Sequence, residues 1–307
     1  MGAVLLRAVS FSLIFIFGIL FRSSGFVSAN AVDTVKKLAF YLTIPSAIIT
    51  SFSKVTEIEG KMVAVVGIGI LVNVLLIAVG AFLTRGQSGD KRALYMVSLP
   101  AYGLGTFTIP FVQSFLPPIA AVTANIFDVG NSIMCVGVTP AFTAEYLSGE
   151  KNGFNVKAFA KRLCSSAPLI TYIVMYFLTT IHIRVPEAFL ALIQPMANSN
   201  AFMCMMMLGL LFRMELKREY LGEIAKLVLL RNLFSAIFAL VFYFCLPFDL
   251  YIRQALVLLV FSPAAATAPA FVGICGGDEG LASAANGASI ILGIAVLTML
   301  LGIMGFH

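Results

Sequence analysis

Two apolar segments of this chain are interrupted by glycine and proline at matching places. The first interruption reads Pro100-Ala-Tyr-Gly-Leu-Gly-Thr-Phe-Thr-Ile-Pro110, and the second reads Ser262-Pro-Ala-Ala-Ala-Thr-Ala-Pro269. Backbone released from a helix inside a bilayer costs several kcal/mol per unpaired group unless it lines a cavity or packs against protein. A matched pair of interrupted helices is typical of secondary transporters, in which it marks the substrate site.

The composition predicts a polytopic membrane protein. Hydrophobic residues make up 60% of the 307 residues, charged residues make up 11%, and the mean hydropathy is +1.01. A soluble domain carries roughly 25% charged residues. The net charge of +6 is spread over the connections between apolar runs, which indicates cytoplasmic loops and not a nucleic-acid site. We therefore expect the lipid bilayer, and no nucleic acid, as a partner.

The cysteines give no sign of a disulfide framework or a metal site. All of them lie in or at the end of apolar runs, and no CxxC pair occurs, which favours reduced packing residues. They are Cys135, Cys164, Cys204, Cys245 and Cys275. We expect neither a metal nor a bound cofactor.

Ten apolar runs reach the length of about 20 residues that a membrane span needs. They cover residues 3–21, 38–53, 62–84, 93–116, 118–144, 163–181, 188–212, 222–246, 254–276 and 281–306. Each half of the chain has an odd number of spans, so the second half must enter the membrane from the opposite side. We therefore predict an all-α membrane protein of two inverted five-helix repeats, residues 1–147 and 163–307, joined by a loop at 148–162. The fourth helix of each repeat, helices four and nine, is the interrupted one.

The positive charges predict the orientation. The connections on one side of the membrane carry thirteen Lys and Arg residues, and those on the other side carry five. The first set is Arg22, Lys36, Lys37, Arg85, Lys91, Arg92, Lys151, Lys157, Lys161, Arg162, Arg213, Lys217 and Arg218; the second is Arg7, Lys54, Lys61, Arg184 and Arg253. The positive-inside rule then places the loop at 148–162 in the cytoplasm and both termini outside.

Asp128 is the carboxylate that we predict deep inside a span. A charge at that depth is costly and marks a functional site by default. Asn125 and Asn131 share its helix face, and Asn286 and Ser289 recur at three-residue spacing in the last span. These residues favour a pocket for the substrate or for a coupling ion, H⁺ or Na⁺. The alternative is hydrogen bonding that only holds helices together.

The interruptions supply the other candidate substrate-binding residues. Inward-pointing helix N-termini offer free N–H groups to a carboxylate, and released carbonyls suit a cation. We expect non-helical backbone near residues 102–106 and 264–267, with the two stretches crossing near the middle of the bilayer. The candidates are Tyr102, Gly103, Gly105, Thr106, Ser262, Pro263 and Thr267. The alternative for the glycines and prolines is a simple kink in each helix.

The chain resembles the auxin efflux carrier family, which includes plant auxin exporters and bacterial malate or malonate permeases. The resemblance lies in Phe17-Gly-Ile-Leu-Phe-Arg22-Ser-Ser-Gly25, in Lys37-Leu-Ala-Phe-Tyr-Leu-Thr-Ile-Pro45, in Asn125-Ile-Phe-Asp128-Val-Gly-Asn131, and in the stretch from Ser262 to Ser283. One position departs from the family: a gapless match puts Gly103 where an asparagine is frequent. The substrate of one family member is therefore not carried over to this chain.

The resemblance implies further properties. It implies a scaffold of helices one, two, six and seven, a mobile unit of the remaining helices, and a homodimer. It also implies elevator-like transport of a small organic anion, in a bacterial cytoplasmic membrane for the permeases.

Two other classes of function remain as alternatives. A channel or a non-transporting sensor would use the same composition, although paired crossovers favour occluded binding over a continuous pore. An intramembrane aspartyl protease needs two facing carboxylates, and Asp278 falls in the turn before the last span, far from Asp128. We therefore predict a permease and not an enzyme.

Overall fold

A computed structural model describes residues 2–55, 60–148, 166–212 and 217–304. Helices are its regular secondary structure, and these described ranges contain no β-strand. Apart from Ser148, the predicted loop at 148–162 lies outside the described residues, together with Cys164 and the charged residue Arg213.

The helices follow the predicted spans closely. The fourth and ninth spans are each divided into two helices, and the second and fifth spans each contain a widened helical turn. The first half contains α1 (Gly2–Ser23), α2 (Ala29–Leu38), α3 (Ile44–Ser53), α4 (Val63–Leu83), α5 (Gly89–Ser98), α6 (Ile109–Phe115), α7 (Pro118–Ile133) and α8 (Thr139–Ser148). The second half contains α9 (Ala167–Thr180), α10 (Glu187–Leu211), α11 (Leu221–Cys245), α12 (Leu250–Val260), α13 (Ala268–Ile274) and α14 (Glu279–Ile303).

Four helical stretches are long and apolar enough to cross a membrane. Within the described residues these are Val63–Leu83, Pro118–Ser148, Arg218–Cys245 and Glu279–Ile303. Shorter apolar helices occur at Val9–Ser23, Ala167–Thr180 and Leu250–Val260. The all-helical prediction is confirmed.

Widened π-helical turns occur directly before three prolines. Ala39–Thr43 joins α2 to α3, Leu104–Thr108 leads into α6, and Met134–Val138 joins α7 to α8. The second residue of each following helix is a proline, namely Pro45, Pro110 or Pro140. Proline has no N–H to donate and crowds the carbonyl four residues earlier, so the preceding turn widens. The chain nevertheless stays helical through each of these turns.

The second span begins earlier than its apolar pattern predicts. We expected a span from residue 38, whereas the helix starts at Ala29. Ser28 caps it, because the Ser28 hydroxyl accepts a hydrogen bond from the Ala31 N–H. Polar residues between Asp33 and Lys37 lower the mean hydropathy of this first part of the helix, so hydropathy alone does not identify it as part of a span.

Both predicted interruptions are present, and they cross each other. The backbone is non-helical over residues 99–103 and 261–267. Tyr102 and Ala264 form an isolated antiparallel bridge. The Gly103 N–H donates to the Pro263 carbonyl at 2.8 Å, and the Ala265 N–H donates to the Ala101 carbonyl at 3.0 Å. The released backbone groups therefore satisfy one another, as a non-aqueous setting requires.

The first interruption starts before the predicted position. It begins at Leu99, and residues 104–106 belong to the π-helical turn, so the helix resumes earlier than expected. The second interruption includes the whole predicted stretch of 264–267.

The helices pack as two groups. The first helix group consists of α1, α2, α3, α9 and α10, with α10 packed against α1 and α3, and α9 packed against α3. The second helix group consists of α4 to α8 and α11 to α14; α4 packs against α7, α12 against α7 and α11, and α13 against α5 and α14. The crossing of the two interruptions belongs to the second group.

Glycines allow the closest helix contacts in both groups. A Cβ placed on Gly209 of α10 would clash with the Phe15 carbonyl oxygen of α1, and one on Gly130 of α7 would clash with the Val66 carbonyl oxygen of α4. Small residues at helix crossings are typical of membrane proteins, in which backbones approach closely.

Candidate functional site

A cavity of about 370 Å³ lies where the two helix groups meet, beside the crossing. The first group contributes Lys36, Phe40, Ile44, Pro168, Leu169, Tyr172, Met207 and Leu211 to its lining. The second group contributes Tyr102, Gly103, Leu104, Gly105, Thr106, Asp128, Asn131, Ser132, Cys135, Val136, Ala265, Ala266 and Thr267. Two lining residues, Lys36 and Thr267, are exposed, so the cavity opens to the surface of the protein.

Asp128 is buried at the cavity wall and holds hydrogen bonds from both helix groups. Asn131, one turn along α7, donates its amide to Asp128 Oδ1 at 3.0 Å. Tyr172 on α9 donates its hydroxyl to Asp128 Oδ2 at 3.2 Å. A buried carboxyl group is tolerated when its oxygens are paired in this way. Asp128 therefore connects the wall of one helix group to the wall of the other.

Asn131 ties Asp128 to the crossing. Besides Asp128, its amide donates to the backbone carbonyl of Tyr102 at 3.1 Å. Its own oxygen accepts from the Asn73 side chain of α4 at 3.4 Å. Asn131 therefore brings the part of α7 that carries Asp128 into contact with the interruption.

The start of the helical stretch from Leu104 to Phe115 faces the same cavity. Its first backbone N–H groups have no acceptor within the helix, and Leu104, Gly105 and Thr106 line the cavity. A Cβ on Gly105 would lie 3.4 Å from Asp128 Oδ2. Glycine at this position lets the backbone come close to the carboxyl group without a side chain between them.

Most of the predicted site residues lie together in the cavity lining. These are Tyr102, Gly103, Gly105, Thr106, Asp128, Asn131 and Thr267. Gly103 also fits the crossing tightly, because a Cβ there would lie 3.0 Å from the Ala264 carbonyl oxygen. A larger residue at this position would push the two interruptions apart.

Five predicted residues do not line this cavity: Asn125, Ser262, Pro263, Asn286 and Ser289. The last two support the crossing from α14, since Ser289 accepts from the Ala264 N–H at 3.0 Å and Asn286 donates to the Ala265 carbonyl at 3.4 Å. Asn286 also borders a smaller cavity of about 40 Å³. Asn125 is fully buried, and neither amide atom has a hydrogen-bond partner among the described residues.

Sequence reasoning missed the contribution of the first helix group. Tyr172 lies in a predominantly apolar run, and Lys36 lies in a stretch whose sequence indicates a polar connection. Neither position carries a periodic or compositional signal toward Asp128. Their place at the cavity follows from how α2 and α9 pack across it.

Arg231 on α11 is a second residue whose role only the structure reveals. It lies inside the predicted span at 222–246, and it is buried, with 4% of its surface exposed. Its guanidinium lies behind the crossing, outside the cavity lining, and donates to backbone carbonyls of both interruptions.

No protein-family model and no curated protein matches this chain. The chemistry of the site is therefore inferred from its own groups. The cavity combines a cationic side chain at the mouth, backbone N–H groups, and one hydrogen-bonded carboxyl group. Such a set can bind a small polar molecule that carries an anionic group.

Proposed function

We propose that this protein is a secondary transporter that moves a small organic anion, such as a carboxylate, across a membrane. The observation that carries the proposal is the crossing of two interrupted helices beside a cavity shared by two helix groups. In transporters the substrate binds at such interruptions, and one group moves against the other around the site. An elevator-like motion of the second helix group is the proposed mechanism.

The ten-span inverted repeat is part of this proposal. Each half contains a divided helix in the corresponding place, α5–α6 and α12–α13, followed by a long helix that hydrogen-bonds to the crossing. Asn131 does so in the first half and Ser289 in the second. This correspondence supports two related halves that enter the membrane from opposite sides. Residues 1–147 and 163–307 are the proposed repeats.

Two features of the cavity support a preference for an anionic substrate: a positively charged side chain and the start of a helix. Lys36 at the mouth is the cationic side chain of the lining, and the helix that starts at Leu104 presents free N–H groups to the cavity. A volume of about 370 Å³ suits a small metabolite and lies near the lower end of the range for ligand sites.

Asp128 is the proposed site of coupling to H⁺ or Na⁺. Two of its hydrogen-bond donors, Asn131 and Tyr172, come from different helix groups, so a change in its protonation or ion contact would alter the contact between those groups. The proposal includes no other cofactor and no enzymatic reaction.

The proposal also includes membership of the auxin efflux carrier family and a homodimeric assembly. It places the protein in a bacterial cytoplasmic membrane with both termini outside. The division into two helix groups supports the family assignment. The group of α1, α2, α3, α9 and α10 corresponds to spans one, two, six and seven, which the family resemblance assigns to the scaffold.

A thermal-shift screen of the purified protein tests the proposal. The ligands are malonate, L-malate, succinate, benzoate and indole-3-acetate, each beside its neutral amide. A substrate stabilises the folded state by RT ln(1 + [L]/Kd), so the melting temperature rises with the logarithm of ligand concentration. We expect such a rise for a carboxylate and not for its amide. Equal shifts for both forms, or none for any carboxylate, would overturn the proposal.

Two variants locate the binding in the cavity. Val136 lines the cavity, so Val136→Phe should fill it and remove the shift. Val74 lies on the exposed face of α4, so Val74→Phe adds the same bulk elsewhere and should leave the shift intact. A shift that survives in Val136→Phe would place the ligand at another site.

A further inference from the structure

Arg231 holds both interruptions from the side opposite the cavity. Its Nη1 donates to the Ser98 carbonyl at 2.8 Å and the Leu99 carbonyl at 2.6 Å. Its Nη2 donates to the carbonyls of Ala101 and Ser262, both at 3.0 Å. Arg231 therefore binds the first interruption and the second interruption with one planar group.

The same guanidinium stacks on the ring of Tyr102. The Arg231 Cζ atom lies 4.4 Å from the ring centroid. Tyr102 lines the cavity, and its backbone carbonyl accepts the Asn131 bond. The crossing is therefore placed between a cationic group on one side and the Asp128–Asn131 pair on the other.

No carboxylate among the described residues forms an ion pair with Arg231. Lys37–Asp33 and Lys91–Glu223 are ion pairs among those residues, and neither involves Arg231. An arginine keeps its positive charge even when buried. The carbonyls at the ends of α5 and α12 carry the negative end of each helix dipole, roughly half a unit charge per helix. The two ends together nearly balance the guanidinium, so without Arg231 the crossing would present a negative potential beside the cavity.

We infer that Arg231 is a positioning residue for anion binding, which holds the interruptions together and offsets the negative helix ends beside the cavity without touching the substrate. The inference rests on the proposed function for the identity of the ligand as an anion. It assigns the charge selectivity to a buried group, whereas the exposed Lys36 is screened by solvent and salt.

A merely structural role would leave the potential of the cavity unchanged, so the test measures that potential. Thr267, exposed in the cavity lining, is replaced by cysteine (Thr267→Cys) after all 5 native cysteines are changed to alanine. Purified protein is then labelled with two methanethiosulfonates, the anionic ethylsulfonate and the cationic ethyltrimethylammonium. The ratio of the two rate constants reports the local potential.

Arg231→Gln should lower the anionic-to-cationic rate ratio by at least about tenfold, since one unit charge at protein dielectric contributes more than 1 kcal/mol over several ångströms. Arg253→Gln is the matched control. Arg253 also donates to a backbone carbonyl and stacks on a tyrosine, Tyr243, but at the far end of α12. The anionic-to-cationic rate ratio of Arg253→Gln should equal that of the parent protein. An unchanged ratio in Arg231→Gln would overturn the inference.

Arg231→Lys keeps the inference testable if Arg231→Gln does not fold. Burial disfavours the charged form of lysine, so a lysine at this position loses its proton at a lower pH than an exposed one, whereas arginine keeps its charge. At about pH 10 the rate ratio should therefore be lower in Arg231→Lys than in the parent, whose ratio stays level with pH. Equal ratios in the two proteins at about pH 10 would contradict the inference.

Because this labelling needs no substrate, it separates two failures. If no carboxylate stabilises the protein and the rate ratio still falls in Arg231→Gln, the proposed transport function is wrong and the electrostatic role of Arg231 stands. If carboxylates bind and the ratio does not change, the proposed function stands and the role of Arg231 is wrong.

Discussion

At the scale of single residues, Asp128 joins the two helix groups through its two oxygens. Asn131 belongs to the same helix as Asp128, whereas Tyr172 belongs to α9 of the other group. A movement of the second group against the first leaves the Asn131 bond intact and breaks the Tyr172 bond. The state of Asp128 and the position of the groups are therefore physically connected.

We expect Asp128→Asn to fold normally and to lose transport or its coupling to an ion. The asparagine oxygen still accepts from Asn131, and its amide can donate to the Tyr172 hydroxyl, so the local hydrogen bonds are replaceable. The variant cannot bind or release a proton or hold a cation. The measurements are the yield of monodisperse protein and the uptake per folded molecule. Normal uptake that remains ion-coupled would remove Asp128 from the mechanism.

Tyr172→Phe is the companion variant, because it removes the bond between the groups and keeps the carboxyl group. An unpaired buried polar atom costs about 1–3 kcal/mol, so the melting temperature should fall while coupling to the ion persists. Loss of coupling in Tyr172→Phe as well would show that the two variants act through packing and not through the chemistry of Asp128.

At the scale of helices, close approach at glycine sets the packing of α4 against α7. A Cβ on Gly69 would lie 2.7 Å from the Phe127 carbonyl oxygen, whereas a Cβ on Gly67 of the same helix meets nothing within 4 Å. Phe127 directly precedes Asp128. The glycine contact therefore also determines how far the polar face of α7 lies from the crossing.

We expect Gly69→Ala to destabilise the protein by about 1–3 kcal/mol, as overpacking at a rigid backbone contact does. Gly67→Ala is the matched control, and it should be neutral or stabilising by up to about 1 kcal/mol, because alanine favours helix more than glycine does. Thermal or denaturant unfolding in detergent measures both. Equal effects of the two substitutions would mean that α4 and α7 are not held at this distance.

The helices and the interruptions were predictable because their signals are local. Pro100, Gly103 and Pro263 disfavour a regular helix, and apolar runs of span length stand out in the sequence. Asp128 was predictable because a carboxylate inside an apolar run is rare.

The rest of the site depends on contacts between segments far apart in the chain. Tyr172 meets Asp128, and Arg231 meets Ser98 and Ser262, only after α9 and α11 have packed. No spacing rule within one helix specifies such partners. The early start of α2 was missed for a different reason, because its polar first turns do not resemble a membrane span although Ser28 caps them.

At the scale of the whole molecule, the charge asymmetry predicts which ends of the helices face the cytoplasm. Gln87 lies between α4 and α5 on the predicted cytoplasmic side, and Arg184 lies between α9 and α10 on the other side; both are exposed. In intact cells, Gln87→Cys should resist a membrane-impermeant thiol reagent and Arg184→Cys should react. Both should react after permeabilisation. The opposite pattern in intact cells would invert the orientation.

In this predicted orientation the cavity would open toward the cytoplasm, since Lys36 at its mouth lies on the same predicted side as Gln87. An alternating-access cycle requires a second state in which the crossing faces outward. In the proposed cycle we expect the contacts between the groups, including the Tyr172–Asp128 bond, to differ between the two states, and the contacts inside each group to be kept.

Counterflow in proteoliposomes tests the central claim most directly. Purified protein is reconstituted into vesicles that are filled with an unlabelled carboxylate, the one that gives the largest thermal shift. Uptake of the labelled form of the same carboxylate from the outside solution is then followed. A carrier with one alternating site predicts saturable uptake that the internal carboxylate accelerates, and its loss in Val136→Phe, which fills the cavity. Uptake that rises linearly with concentration and ignores the internal carboxylate would indicate a channel, and no protein-dependent uptake would contradict transport altogether.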